Sequence, residues 1–284
     1  AAYYEEGRNV MWMMLRAQPR PCFNLDLVHD ILGLAQAARE SGLPIDFWVT
    51  GSLIPNIYNV GGDLDFFADA IRSGKRQALM AYARACVDCV HAAARGFDTG
   101  AISIAMVEGT ALGGGFEAAL AHHFLLAQSD ARMGFPEIAF NLFPGMGGYS
   151  LVARKAGMRL AEELIGGGES HTAEWHQEKG LVDQLFEPGD AYVATRTFMD
   201  TLKPMIDGDF RTLPDAPHTG IIGSSMGGLI SLYAWLAYPW TFGLSGAMSP
   251  SLWVARQAVH DHVRHAPFNE GRLYLDVGTR ELPR

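Results

Sequence analysis

Val107-Glu108-Gly109-Thr110-Ala111-Leu112-Gly113-Gly114-Gly115-Phe116-Glu117 is the stretch from which the rest of this chain can be read. The apolar run before it, Ala101 to Val107, has the length and composition of a buried strand. A glycine turn follows, and a helix is expected from about Gly115 to Ala121. Strand, glycine turn and helix start leave unpaired backbone amides where an anion can sit. Gly-Lys-Ser/Thr is absent, so this is not a phosphate loop of the Walker type. On either side the pattern alternates. Asn9 to Leu15, Asp46 to Thr50 and Phe124 to Ala127 read as strands, Asp26 to Ser41 as a helix, and Asp65 to Arg95 as a long helical region. Such alternation predicts an α/β architecture with a largely parallel sheet. After Leu151 the chain turns mostly helical, with a short helix over Ala173 to Lys179. From about Asp207 a second strand–helix–strand series is expected: Thr219 to Gly223, Met226 to Ala237 and Arg272 to Val277.

Composition excludes several function classes. Hydrophobic residues at 49% and charged residues at 19% supply enough apolar mass for a globular core. A net charge of −9 with no basic run argues against nucleic acid or an anionic membrane surface as a partner. No apolar run is long enough to span a bilayer, and the start, Ala1-Ala2-Tyr3-Tyr4-Glu5-Glu6, lacks the basic and apolar stretches of a signal peptide. Cys22, Cys86 and Cys89 are too few for a disulfide framework. Cys86 and Cys89 read as two thiols on a helix, and a reducing, cytoplasmic setting is expected. Neither His122-His123 nor the trio His260, His262 and His265 reads as a metal site; the trio is expected on a solvated helix.

Two carboxylates stand out chemically. Glu117 falls in the first turn of the helix that follows the glycines, and Glu137 follows Pro136 twenty positions later. Carboxylates sharing an apolar cleft can hold opposite protonation states and divide acid from base work. A second glycine turn, Gly61-Gly62, can supply another amide, and two convergent amides are what an enolate or tetrahedral oxyanion requires. Spacing alone equally suits two solvated carboxylates at helix caps, and on residue chemistry the two readings stand level.

The order and spacing of further segments separate them. Asn59-Val60-Gly61-Gly62-Asp63-Leu64, Ala111 to Glu117, Phe135-Pro136-Glu137-Ile138, Phe143-Pro144-Gly145-Met146-Gly147-Gly148 and Gly180-Leu181-Val182-Asp183 together resemble the crotonase (enoyl-CoA hydratase/isomerase) superfamily. The resemblance covers residues 1 to about 203 and implies a crotonase-like ββα spiral core. Within it, Gly113 to Leu120 and Phe140 to Ser150 are similar to diffusible signal factor synthases. These are quorum-sensing enzymes that dehydrate a 3-hydroxyacyl thioester to a cis-2-enoyl chain and release the free fatty acid. The resemblance thus implies a lyase of the enoyl-CoA hydratase or dehydratase type in fatty acid metabolism, with thioesterase activity as an added capacity. Gly62 and Gly114 amides would form the oxyanion hole, and Glu117 and Glu137 would be catalytic. No cofactor or metal is implied; the substrate is a thioester on acyl carrier protein or coenzyme A. A homotrimer is the implied assembly if the family's C-terminal helices, unmatched after about Pro204, are not required for it.

A second signature lies downstream. Gly223-Ser224-Ser225-Met226-Gly227 matches G-x-S-x-G between a strand and a helix, the context a nucleophile elbow needs. Residues from about 205 to 284 resemble the esterase branch of the α/β-hydrolases. Ser225 would be the nucleophile, with Asp276 or Glu281 as acid. In that family's order the base histidine follows the acid, and no histidine follows His265. Ser225 is therefore expected to be vestigial and this half inactive as an esterase. The expected layout is a crotonase-like enzyme domain over 1–203 followed by an incomplete α/β-hydrolase segment over 204–284, a chain of chimeric appearance. A serine esterase, and a non-functional chimera of the two families, are the alternative readings.

Overall fold

The computed structural model describes residues 1–209, 220–224, 226–250, 252, 257–266 and 270–276. Two compact units divide the chain, Ala1–Met199 and Asp200–Arg284.

The first unit opens with β1 (Ala2–Glu5), β2 (Val10–Leu15), α1 (Leu25–Ser41), β3 (Phe47–Ser52), β4 (Ile57–Asn59), α2 (Leu64–Arg72) and α3 (Arg76–Ala94). It continues through β5 (Ile102–Val107), β6 (Thr110–Leu112), α4 (Gly114–Ala121), β7 (Phe124–Gln128), β8 (Arg132–Gly134), α5 (Gly148–Ala156) and α6 (Met158–Gly167). β9 (Ser170–Thr172), α7 (Ala173–Glu178), β10 (Gln184–Phe186) and α8 (Ala191–Asp209) follow, α8 running past the unit's boundary.

The strands sort into two sheets. One has the order β1-β2-β3-β5-β7-β10, the other β4-β6-β8-β9. Only the β1–β2 and β8–β9 pairs are antiparallel. Three times the chain lays a strand in the large sheet, a short strand in the small one, and then helix: β3 with β4, β5 with β6, β7 with β8. This is the ββα spiral expected from the sequence. β5 is buried from Ser103 to Val107, as a parallel strand covered on both faces should be. The core between sheet and helices includes Val28, Trp48, Ile104, Phe116, Leu120, Leu125 and Phe135, each fully or almost fully buried.

Local chemistry sets the element ends. The Asn24 side chain accepts from Leu27 N at 2.9 Å and starts α1, and Gly42 in the left-handed region ends it. The expected long helix over Asp65 to Arg95 is two helices, because Gly74 at φ +64° breaks it between α2 and α3. The four strands of the small sheet were not foreseen, each being three residues long and too short to show a period of two.

The second unit contains β11 (Gly220–Ser224), α9 (Met226–Ala237), β12 (Leu244–Met248), α10 (Gln257–His265) and β13 (Arg272–Asp276). Its strands are parallel in the order β11-β12-β13, over a small core of Leu232, Trp235, Leu236 and Ala247. α10 departs from the expected solvated helix at His262, whose ring tilts against Tyr233 at 4.9 Å between centroids.

Candidate active site

The site is built from two glycine turns pressed together. Gly113 closes β6 with φ 53° and ψ −125°, a conformation open to glycine, and its amide donates to Gly134 O at 2.9 Å. A side chain on Gly115 would put its Cβ 2.0 Å from Asn59 O, so only glycine lets the first turn of α4 close on β4. A Cβ on Gly61 would lie 3.0 Å from Gly114 N, which places the Gly61-Gly62 turn directly against the start of α4. Among the described residues, neither the Gly62 nor the Gly114 amide has a hydrogen-bond acceptor.

Glu117 lies one turn into α4 and is 1% exposed. Its Oε1 accepts from Met146 N at 2.8 Å and Gly148 N at 2.7 Å, amides of the loop entering α5. Burial pushes the carboxyl up to about 7, against the pull of the Gly148 and Met146 amides and with a smaller push from the Glu137 charge. Glu137 sits in a 3-10 turn, Pro136–Phe140, just after β8. Its carboxyl reaches back to Gly113, where a Cβ would meet Oε1 at 2.7 Å. Glu137 Oε2 is buried with no hydrogen-bond partner among the described residues, and burial raises this carboxyl too. One cavity of about 190 Å³ brings Gly62, Gly114, Glu117 and Glu137 together, walled by Leu64, Phe67, Tyr82, Cys86, Leu142, Phe143 and Met146. The reading of two solvated carboxylates at helix caps is thereby corrected: Glu117 is buried and Glu137 half-buried, and both line a mostly apolar pocket.

This arrangement can polarise a carbonyl at the paired amides and move protons between two carboxyls whose proton affinity burial raises. Sequence reasoning did not find the Met146 and Gly148 amides, although they lie in the quoted Phe143–Gly148 segment. It also missed Tyr82, a lone tyrosine on a helix with no local signal.

The other residues singled out fall elsewhere. His122 is buried, with Nδ1 2.8 Å from Ala118 O and Nε2 2.8 Å from Thr50 Oγ1. Among the described residues no group of three or more His, Cys, Asp or Glu could hold a metal ion. Ser225 and Glu281 lie outside the described residues. Asp276 ends β13, where its Oδ1 accepts from Ser249 N at 2.6 Å. No helix among the described residues is long and apolar enough to cross a membrane.

Comparison with known proteins gives these residues a family. Residues 47–218 match the enoyl-CoA hydratase/isomerase family, and residues 164–283 match the Esterase family, the two overlapping over 164–218. The 2,3-dehydroadipyl-CoA hydratase of Escherichia coli is 44% identical over 87 residues, covering 31% of this chain and 34% of that protein. A peroxisomal bifunctional enzyme of Danio rerio is 41% identical over 91 residues, covering 32% of this chain and 13% of that protein. The chain thus spans about a third or less of the length of these curated relatives. Among solved structures, Pseudomonas aeruginosa DspI superposes with a TM-score of 0.63 at 26% identity, over 73% of this chain and 86% of that one. An enoyl-CoA hydratase from Polaromonas sp. gives 0.64 at 23% identity, over 71% and 76%, and so speaks for the fold. Because the first match covers more than half of its length, the chain belongs to the enoyl-CoA hydratase/isomerase family.

Proposed function

We propose that this protein adds or removes water across the C2–C3 bond of an enoyl or 3-hydroxyacyl thioester. The observation that carries the reading is the pair Glu117 and Glu137, both with raised proton affinity, in one apolar cavity beside two glycine amides that have no acceptor among the described residues. The thioester oxygen would accept from Gly62 N and Gly114 N, which stabilises the negative charge that grows there as the C2 proton leaves. The two carboxyls would accept that proton and protonate the departing C3 hydroxyl, so that one water is released and the pair ends with the proton count it began with. The apolar wall suits an acyl chain and excludes bulk water, strengthening every charge interaction in the site.

The finer reading adds hydrolysis: the same pair activates water against the thioester carbonyl and releases a cis-2-unsaturated acid and a thiol. Its support is the likeness of the Gly113–Leu120 and Phe140–Ser150 motifs to diffusible signal factor synthases. Several relatives carry names of CoA-ester hydratases, which favours an acyl-CoA; acyl carrier protein is the other carrier the thioester chemistry admits.

Glu137→Gln tests the reading. Hydration of an enoyl thioester, followed by loss of its conjugated absorbance, should fall by about 10²–10⁴-fold. Unaltered turnover would sink the two-glutamate mechanism. The Esterase-family match favours a second reading, serine hydrolysis at Ser225. Labelling of Ser225 by a fluorophosphonate would support that reading, and silence would retire it.

A further inference from the structure

The amides on either side of Gly62 are both occupied. Gly61 N donates to Asn59 Oδ1 at 2.8 Å, and Asp63 N donates to the Tyr82 phenol oxygen at 3.1 Å. That phenol in turn donates its proton to the Phe23 carbonyl. Phe23 N closes the circuit by donating to Gly61 O at 2.7 Å. Only the Gly62 amide, in the middle of this ring, is left without an acceptor among the described residues.

The peptide geometry gives this ring a consequence. In a trans peptide the N–H points opposite to the preceding C=O. The Phe23 bond to Gly61 O therefore aims the Gly62 N–H away from Phe23. Gly62 has no Cβ to restrict the next peptide plane, so that plane needs a separate hold. Tyr82 supplies one by accepting from Asp63 N, and it braces Phe23 with its own proton. We propose that Tyr82 is a positioning residue whose hydroxyl, by bracing the Phe23 carbonyl and holding Asp63 N, steadies the Phe23–Gly61 bond that aims the Gly62 N–H toward the thioester oxygen. The inference rests on the thioester reading above and adds a residue that neither the motifs nor the family match singled out.

The surroundings suit that task. Tyr82 is 2% exposed, and its ring packs at 5.1 Å from Phe66 and edge-on at 5.2 Å from Phe67, both on α2. Asp63 caps α2, its side chain accepting from Phe66 N at 3.2 Å. The phenol is thus held by α2 and α3 together. Burial raises its proton affinity well above the ordinary tyrosine value, which keeps the donated proton in place.

The test is Tyr82→Phe, which keeps the ring and removes only the hydroxyl. Loss of one complete oxyanion donor reduces kcat by about 10²–10³-fold. A donor left in place but misaimed should lose less, roughly 10- to 100-fold in kcat, with KM within about threefold. A 3-ketoacyl thioester, which can bind as its enolate, should weaken by the same factor as kcat. A saturated acyl thioester of equal length develops no such charge and should bind within about threefold of wild type. Unchanged kcat, or equal weakening of both ligands, would overturn the proposal, the latter because a merely structural role moves both.

A measurement on the unaltered protein covers the case in which the variant does not fold. The Gly62 amide proton resonance should move downfield when the 3-ketoacyl thioester is added, and an unmoved resonance would overturn the proposal by itself. A wild-type protein that neither hydrates enoyl thioesters nor binds the 3-ketoacyl probe would remove the thioester reading and this inference together. Normal hydration by both wild type and variant would remove this inference alone.

Discussion

Replacing Glu117 with glutamine should strengthen the fold at alkaline pH while removing the chemistry. Burial raises this carboxyl from its ordinary 4.5 to about 7. The folded protein therefore holds a proton between those values that the unfolded chain has released. Its contribution to stability is fully present below pH 4.5 and is lost as pH rises through 7. The interval is 7 − 4.5 = 2.5, and at about 1.4 kcal/mol for each pH unit the loss approaches about 3 kcal/mol by pH 8. At pH 5 the same group contributes a loss of only about 1 kcal/mol. Glutamine keeps an oxygen for the Met146 and Gly148 amides and carries no charge to bury. The variant should gain about 3 kcal/mol over wild type at pH 8, roughly 5–10 °C in Tm for a domain of this size, and about 1 kcal/mol at pH 5. Urea and thermal denaturation of both proteins at the two pH values, followed by far-ultraviolet circular dichroism, measures the difference. Titrations common to both proteins cancel in it. Hydration of an enoyl thioester should fall by about 10²–10⁴-fold in the same variant. A variant less stable than wild type at pH 8, or a stability difference that is the same at both pH values, would refute the argument from burial.

Three further outcomes are expected within the first unit. Gly115→Ala drives a Cβ to 2.0 Å from Asn59 O, a backbone atom with no room to retreat, and should destabilise by about 3 kcal/mol or more in urea denaturation. Gly33→Ala, exposed on α1 with nothing within 4 Å, should instead stabilise by about 0.5–1 kcal/mol. His122 and His176 are both lowered from 6.5 to about 4, first by burial, so the unfolded chain takes up protons that the folded one refuses. Their stability contribution is present above 6.5 and is lost as pH falls toward 4, by up to about 3 kcal/mol each. In the Glu117→Gln protein, where the opposing slope of that carboxyl is gone, denaturation midpoints should decline steadily from pH 7 to pH 4. A level profile would contradict the buried neutral histidines.

Much of the architecture was legible because its signals are local. α1 shows apolar residues at helical spacing, β5 is an apolar run of strand length, and α9 follows a strand and a glycine-rich turn. The small sheet was not legible. Ile57–Asn59, Thr110–Leu112, Arg132–Gly134 and Ser170–Thr172 are strands only because partners dozens of residues away supply their hydrogen bonds. Yet this sheet carries the site. β6 beside β8 brings the Gly113 turn to the segment that holds Glu137, and the Asn59 carbonyl against Gly115 sets α4, with Glu117 on it.

By itself the sequence determined the α/β class, the family, and a short set of residues, Gly62, Gly114, Glu117 and Glu137, worth testing for chemistry. Those are properties of residue type, order and spacing, which survive without coordinates. Only the tertiary structure decided how these groups are charged and held. Glu117 receives its two amides from positions 29 and 31 residues further along the chain, and Glu137 Oε2 is buried with no partner among the described residues. Tyr82 reaches the Gly62 turn from a helix that no motif marks. Proton affinity and the aim of an amide depend on burial and on partners across the fold, and neither is written in the spacing of the residues themselves.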